Sequence, residues 1–415
     1  DYFVQYVGKV LTVLILALLT AFFLYYIRRN IYDNNNMLIL LSSLIILVSF
    51  IAFISLKITV NAPVEYLIFV SVASILLTIL FDSRLSFYIT IINCFLVASI
   101  RGGDYTIAFV SFCGCVLAIF SVQDIKNRSQ IFRSFYFMLI GYSISILAVG
   151  LDKTEDTSKI LVQILFGGIN SMLSPIIAYG LLIFYERTFK ITTDLTLLEL
   201  SDFNHPLLKE LSSKAPGTFH HSIVMGNLSE AAAEAIGANS TLARVGCYYH
   251  DIGKTLKPQY FIENQLDHNK HENLNPNIST KLIISHVKDG IELAKKYNLP
   301  QEIVDFIPMH HGTTLVSYFF HKAKFNAKSE EISDYIYRYP GPKPQTKETG
   351  IVMLADAIEA STRAIEEPTP QKIENRIDDV IKARFMEGEL DECELTFKDL
   401  TKIKQAFIKI LVGIH

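Results

Sequence analysis

Residues 220–254 read HHSIVMGNLSEAAAEAIGANSTLARVGCYYHDIGK. From Ser222 to Ile236 apolar residues recur at helical spacing, and Gly237 closes the run. A second helical run extends from Thr241 to Asp251. No strict apolar–polar alternation interrupts either run, so an all-α fold is expected for this part of the chain. The same stretch puts His220-His221 at the opening of one helix and His250-Asp251 at the end of the next. Imidazoles beside carboxylates are the building blocks of transition-metal sites.

Working outward, all eleven histidines lie between His205 and His415, and the first 204 residues hold none. Beyond the quoted stretch the groups continue with His286 and with His310-His311. Helices are predicted near Ser279–Tyr297 and Pro300–His311, and a fifth over IVMLADAIEAS (351–361), which carries Asp356. Side chains from five helices can converge on one cavity of a bundle. Neighbouring residues on a helix differ by about 100° around its axis, but at a helix end the chain can turn. Paired ligands there reach a common centre or two adjacent ones. A carboxylate can bridge two cations, whereas an imidazole ordinarily binds one. Five histidines and two aspartates therefore fit a two-metal site bridged by an aspartate better than they fit one metal.

Two cations roughly 3.5–4 Å apart suit phosphoester hydrolysis, with a bridging hydroxide as nucleophile and the phosphoryl charge neutralised. Lys254, one helical turn beyond His250, is placed to meet phosphate or leaving-group charge. Asp251 and Lys254 are thus the candidate catalytic residues. Any one of these histidines alone would read as a surface or core residue; the set, with its HD and HH pairs, does not.

The rest of the chain differs in composition. Residues 1–190 hold 13 Lys/Arg and 10 Asp/Glu, whereas 191–415 hold 25 and 31. The thinly charged half reads as a membrane domain and the other as a soluble one. With no global basic excess, nucleic acid is not an expected partner. The five cysteines show no CxxC pair and imply neither a disulfide scaffold nor a thiolate metal site. Cys113 and Cys115 read as small apolar residues of a membrane helix.

Seven apolar stretches lie near Val7–Ile27, Met37–Leu56, Pro63–Phe81, Leu85–Ile100, Thr106–Val122, Phe135–Leu151 and Ile160–Tyr185. About 20 apolar residues span a bilayer core as a helix, and the fourth and sixth stretches are shorter than that. Arg28, Arg29, Arg84, Lys126, Arg128 and Arg133 occupy the first, third and fifth connections, with Arg187 and Lys190 after the seventh span. The other connections carry Lys57, Arg101, Lys153 and Lys159. The positive-inside rule then puts the N-terminus outside and the C-terminal half in the cytoplasm. Glu65 sits near a span end, so an intramembrane ion path has little support. Gly167, Gly168, Asn170, Ser171 and Pro175 in the seventh span suit small-residue helix packing, with a flexible or pocket-lining helix as the alternative.

Domain boundaries are expected at 1–187 for the membrane domain, 188–215 for linker helices and 216–415 for the metal-site domain. Leu195, Leu197, Leu198 and Leu200 suggest one linker helix, and Leu207, Leu208 and Leu211 a second. Asn204-His205-Pro206 breaks them, with Asp202 and Asn204 as candidate caps. A helix continuing straight from the last span would couple the halves.

With these residues in view, the pattern HHS…HD..K…H…HH…D resembles the HD superfamily of metal-dependent phosphohydrolases. The strings HPLLKEL, APGTFHHSIVMGNLSEAAAEAIGAN, YYHDIGK, YFIENQ, HHGTTLVSYF, YRYPGPKPQTKE and IVMLADAIEAS are similar to the seven-transmembrane HD proteins, membrane phosphodiesterases of cyclic di-AMP. The likeness runs almost continuously over 190–415. It implies His221, His250, Asp251 and Asp356 as ligands of one metal, and Asp251, His286, His310 and His311 as ligands of the other. His220 would be structural or support a ligand. Iron or manganese would fill the two sites, as the nitrogen–oxygen donor set allows. The GYP element of the related cyclic di-GMP enzymes is absent; Gly312-Thr313-Thr314 follows the HH pair. His205, His268, His271, His321 and His415 are expected bystanders.

The segment Tyr337–Lys347 is rich in proline and glycine. Arg338, Tyr339 and Lys343 make it a candidate substrate-side loop, with an ordinary solvated loop as the alternative. Glu330, Glu331 and Asp334 read as a solvated helix face.

The resemblance implies a polytopic enzyme of the bacterial inner membrane that hydrolyses cyclic di-AMP to 5′-pApA, regulated through its membrane domain. Its partners would be the cyclic dinucleotide and the lipid bilayer, with a homodimer as a further expectation. The chain starts at Asp1 and its first apolar stretch lacks a cleavage-site pattern, so it is taken as part of a longer protein with an extracytoplasmic sensor domain. Two alternatives stay open: hydrolysis of cyclic di-GMP or another nucleotide, and a membrane receptor whose HD half only binds nucleotide.

Overall fold

The computed structural model describes residues 2–123, 125, 127–265, 269–326 and 332–414. Lys126, His268, Glu330, Glu331 and His415 lie outside the described residues. Among those described, the chain is helical, without a strand, and an isolated bridge pairs Leu315 with Arg338. It divides into two compact units, Asp1–Leu195 and Thr196–His415.

Among the described residues of the first unit, six helices are long and apolar enough to cross a membrane: Phe3–Ile27, Asn35–Ser55, Ser83–Ile100, Tyr105–Val122, Arg128–Asp152 and Thr157–Phe189. Asn34, Asp82 and Asp104 start three of them by accepting backbone N–H bonds of the first turn. The third apolar stretch is different. It forms a 3₁₀ turn, Val64–Leu67, and an α-helix of only 11 residues, Val70–Leu80. The short element is therefore the third, not the fourth or sixth, whose helices have 18 and 19 residues.

Helical bonding fails at Ile68, which is extended (φ −76°, ψ 106°). Asn170 compensates: its Nδ2 donates to the carbonyls of Tyr66 (2.8 Å) and Ile68 (3.3 Å). Its Oδ1 accepts from Ser71 and Ser174 at 3.0 and 2.8 Å. The helix that follows is buried from Val70 through Thr78, against Ser83–Ile100, Tyr105–Val122 and Thr157–Phe189. Enclosed by other helices, its backbone is shielded from lipid whatever its length. Gly167 completes the packing, since a Cβ there would lie 3.0 Å from Ile146 and 3.1 Å from Tyr142. The small residues of the last long helix thus serve close packing and one polar repair. That helix ends at Lys190 in the left-handed region (φ 52°), and a new helix, Asp194–Leu200, begins four residues later. A straight continuation of the last span does not occur.

The second unit is a bundle of Pro206–Lys214, Pro216–Ile236, Ser240–Tyr249, Pro276–Lys296, Ser317–Asn326, Lys347–Arg363, Pro370–Met386 and Phe397–Ile414. Proline at the first turn opens four of these helices, where its missing N–H costs nothing. His205 holds the cap position before Pro206, and Asp202 instead accepts from Asn204 N within the preceding turn. The run expected over Pro300–His311 is two short helices, Gln301–Val304 and Phe306–Met309. Pro308 has no N–H to give Val304, which divides the run. Leu228, Phe306, Leu354, Ile377 and Phe407 belong to one buried cluster, and Leu208, Tyr249, Ile252 and Ile307 to another.

Candidate metal centre

Five elements of the second unit deliver the seven candidate ligands. His221 is inside Pro216–Ile236, not at its opening, because the helix begins at Pro216, ahead of the first apolar residues. His250 and Asp251 follow the end of Ser240–Tyr249, where the chain leaves the helix into the 3₁₀ turn Ile252–Leu256. Gly253 lets that turn lie on Pro276–Lys296: a Cβ there would sit 1.9 Å from the His286 carbonyl oxygen. His286 lies on the facing helix, His310 and His311 follow Phe306–Met309, and Asp356 lies on Lys347–Arg363.

Their side chains converge. His221 Nε2 is 3.1 Å from Asp356 Oδ1, and His250 Nε2 is 3.1 Å from Asp251 Oδ2. Asp251 Oδ1 lies 3.3 Å from His286 Nε2 and 3.7 Å from His310 Nε2. His311 Nδ1 is 3.7 Å from Asp356 Oδ2. Among the described residues, two groups offer ligand atoms all within 4.8 Å of one another: His221, His250 and Asp251, and His286, His310 and His311. Asp251 touches both, and Asp356 faces a member of each.

The ring orientations suit a cation. His250, His286 and His310 each donate Nδ1–H to a carbonyl of their own turn, Cys247, Ile283 and Phe306, at 2.6, 2.6 and 2.9 Å. That bond fixes the tautomer and leaves each Nε2 with a lone pair facing Asp251. These three Nε2 atoms and Asp251 Oδ1 are buried without a hydrogen-bond partner, while Asp251 Oδ2 has the Lys254 ammonium at 2.6 Å. Four such atoms in one place would be costly unless a ligand takes them up. The nitrogen–oxygen donor set matches divalent transition metals.

Electrostatics agree. Burial opposes the charged form of Asp251, but His250 and Lys254 outweigh it and hold the carboxyl well below its usual range. Burial also opposes charge on His310, and with His250 beside it the ring falls to about 3. His286 and His311 are likewise lowered, first by burial. His221 goes the other way: the carboxylates of Asp356 and Glu359 overcome burial and push it up to about 9.

Three glutamates missed in the sequence belong to this neighbourhood. Glu359 Oε2 lies 2.5 Å from His221 Nδ1 and is three residues beyond Asp356, on the same helix face. That i, i+3 spacing of acids in an apolar run was the available signal. Glu263 Oε1 lies 2.9 Å from Lys254 Nζ and also accepts from Thr218 Oγ1 at 2.9 Å. Lys254 Nζ in turn stands 2.6 Å from Asp251 Oδ2. Glu389, only 1% exposed, accepts from Thr313 N at 2.9 Å and from the Thr313 hydroxyl, fixing the turn after His311. Gly312 in that turn has φ +53°. Nothing near Thr313 in sequence points to position 389.

The candidate substrate residues separate. Tyr339 is buried and stacks on His311, centroids 4.0 Å apart at 24°. Arg338 pairs with Asp334 at 2.8 Å, so Asp334 is not simply a solvated acid. Lys343 Nζ donates to the Gly388 carbonyl at 2.9 Å. The Arg338 side chain stays 41% exposed beside Asp334. His220 is exposed, and His271 is a buried structural residue whose Nε2 meets the Tyr260 carbonyl at 2.8 Å.

Comparisons with known proteins follow the two units. Residues 3–193 match the family described as 7TM receptor with intracellular HD hydrolase, and residues 218–361 match the HD domain family. The cyclic-di-AMP phosphodiesterase PgpH of Bacillus subtilis is 38% identical over 360 residues, which are 85% of this chain and 50% of that protein. The protein of the same name from Listeria monocytogenes is 42% identical over 301 residues, 72% of this chain and 42% of its own length. A crystal structure of the Listeria HD domain in complex with cyclic di-AMP is 50% identical, with a TM-score of 0.49, covering 51% of this chain and 97% of the other. The chain spans about half the length of the curated relatives it matches.

Proposed function

The chain belongs to the family of seven-transmembrane proteins that carry an HD hydrolase domain, and from that membership we propose that it is a membrane-bound phosphodiesterase converting cyclic di-AMP to 5′-pApA. The observation that carries the proposal is Asp251, a buried carboxylate that faces three imidazole Nε2 atoms, its Oδ1 without a hydrogen-bond partner and its Oδ2 beside Lys254. The names of the relatives supply the substrate.

Under this proposal His221, His250, Asp251 and Asp356 hold one divalent cation, and Asp251, His286, His310 and His311 hold the second. Iron or manganese is the proposed pair. When bound, the cations supply charge neutralisation at the phosphoryl oxygens and an activated water. The chain does the rest. Carbonyls three or four residues back fix the rings of His250, His286 and His310, so little reorganisation accompanies the reaction. Lys254, held by Glu263, keeps an ammonium beside the bridging carboxylate, where phosphate or leaving-group charge is met. Tyr339, stacked on His311, covers the centre and offers a ring to the nucleotide.

The six long apolar helices support a membrane location. We place the N-terminus outside and the HD domain in the cytoplasm of a bacterial inner membrane, on the excess of Arg and Lys in alternate connections. Regulation through the membrane unit is part of the same proposal.

The test is turnover of cyclic di-AMP by the purified chain with Mn²⁺ or Fe²⁺, alongside cyclic di-GMP as competitor. Release of 5′-pApA with preference for the adenine substrate supports the proposal. Binding without product favours a receptor, and a preference for guanine changes the substrate.

A further inference from the structure

His221 differs from the other candidate ligands in what holds its ring. His250, His286 and His310 are fixed by carbonyls three or four residues back, partners that helix geometry provides to any histidine there. His221 Nδ1 instead meets Glu359 Oε2 at 2.5 Å, from a residue 138 positions away. Glu359 is 6% exposed, and its other oxygen lies 3.5 Å from the Arg363 guanidinium. On the opposite edge of the ring, Nε2 faces Asp356 Oδ1 at 3.1 Å. One helix, Lys347–Arg363, thus grips both nitrogens of His221 with two carboxylates three residues apart.

Two consequences follow from general chemistry. A carboxylate bonded to Nδ1–H makes the opposite nitrogen a stronger donor than a carbonyl does. Because Glu359 and Asp356 share a helix face, the ring held by one is registered against the ligand oxygen of the other. We propose that Glu359 is a positioning residue that orients His221 and raises its donor strength, so that the cation shared by His221 and Asp356 is held more tightly than His221 alone would allow. This rests on the two-cation proposal above.

The test is Mn²⁺ binding by the full chain, counted by equilibrium dialysis and elemental analysis, with no activity measurement needed. In Glu359→Ala one of two Mn²⁺ ions should weaken by roughly 10- to 100-fold while the other is unchanged. Glu359→Gln keeps an acceptor for Nδ1–H but not the charge, and should lose about tenfold or less at that same ion, a partial rescue. If Glu359→Ala does not fold, as read by thermal melting of chelated protein, Glu359→Gln carries the test. Wild-type affinity in the folded variants overturns the proposal, and so does equal weakening of both ions. A wild-type chain that binds no Mn²⁺ sinks the two-cation proposal itself, a separate failure.

Discussion

Lys254 Nζ stands 2.6 Å from Asp251 Oδ2, an ammonium against a carboxylate that reaches both groups of candidate ligands. Glu263 holds the same ammonium from the other side at 2.9 Å. Burial opposes charge on Lys254, yet Asp251 and Glu263 together keep it firmly protonated. It is therefore a fixed positive charge at the edge of the site. Lys254→Met should lower kcat for cyclic di-AMP by roughly 10²- to 10³-fold, the usual loss when one preorganised charge donor is removed. Metal content by elemental analysis should stay at the wild-type value. A variant with wild-type kcat would remove Lys254 from the mechanism.

Gly253 lies where the HD turn meets the helix of His286. Gly253→Ala would put a Cβ 1.9 Å from a backbone carbonyl oxygen, which cannot swing away as a side chain could. The expected cost is about 3 kcal/mol or more, at or beyond the top of the ordinary overpacking range. Thermal melting of the chelated protein measures it. A melting temperature within a degree of wild type would show that the turn can move off the helix.

Metal binding should release one proton near pH 7. Burial disfavours charge on His221, but Asp356 and Glu359 outweigh it and push the ring up to about 9, so it is protonated at pH 7. Ligation through Nε2 needs the neutral ring. His310, at about 3, and the lowered His286 and His311 are already neutral and release nothing. Affinity for the cation at His221 should therefore rise about tenfold per pH unit below 9. Calorimetry in buffers of different ionisation enthalpy counts the proton. Affinity that is flat between pH 7 and 8.5 would contradict this.

In the membrane unit, Asn170 repairs the break before Val70 by donating to the Tyr66 and Ile68 carbonyls. Asn170→Ala takes this partner from the buried Tyr66 carbonyl, while the Ile68 carbonyl keeps Val70 N–H and Ser71 keeps Ser174. It should cost about 1–3 kcal/mol in thermal unfolding of detergent-solubilised chain. Ser43→Ala, which removes a half-buried contact with Tyr185, should cost less.

These cases show why the sequence revealed some features and not others. His250-Asp251 and His310-His311 were legible because ligand chemistry restricts residue types and helix ends allow adjacent residues to share a centre. The seven apolar stretches were legible because lipid demands continuous apolar helices. The break at Ile68 was not, since its repair comes from Asn170, about a hundred residues on. Glu389 escaped for the same reason, since a carboxylate that fixes a distant turn is known only by what it touches, whereas Glu359 offered its i, i+3 spacing from Asp356. Arg338 and Lys343 read as phosphate contacts by type, and the structure adds Asp334 and the Gly388 carbonyl as their neighbours, which no sequence pattern announced.

The central claim is that Asp251 joins two cations that act together on a phosphodiester. Its most direct test is Asp251→Ala in the full chain, followed by product analysis with cyclic di-AMP and Mn²⁺. The expected result is a folded, membrane-inserted protein that has lost formation of 5′-pApA while wild type retains it. Hydrolysis by the variant at a rate near wild type would contradict the account.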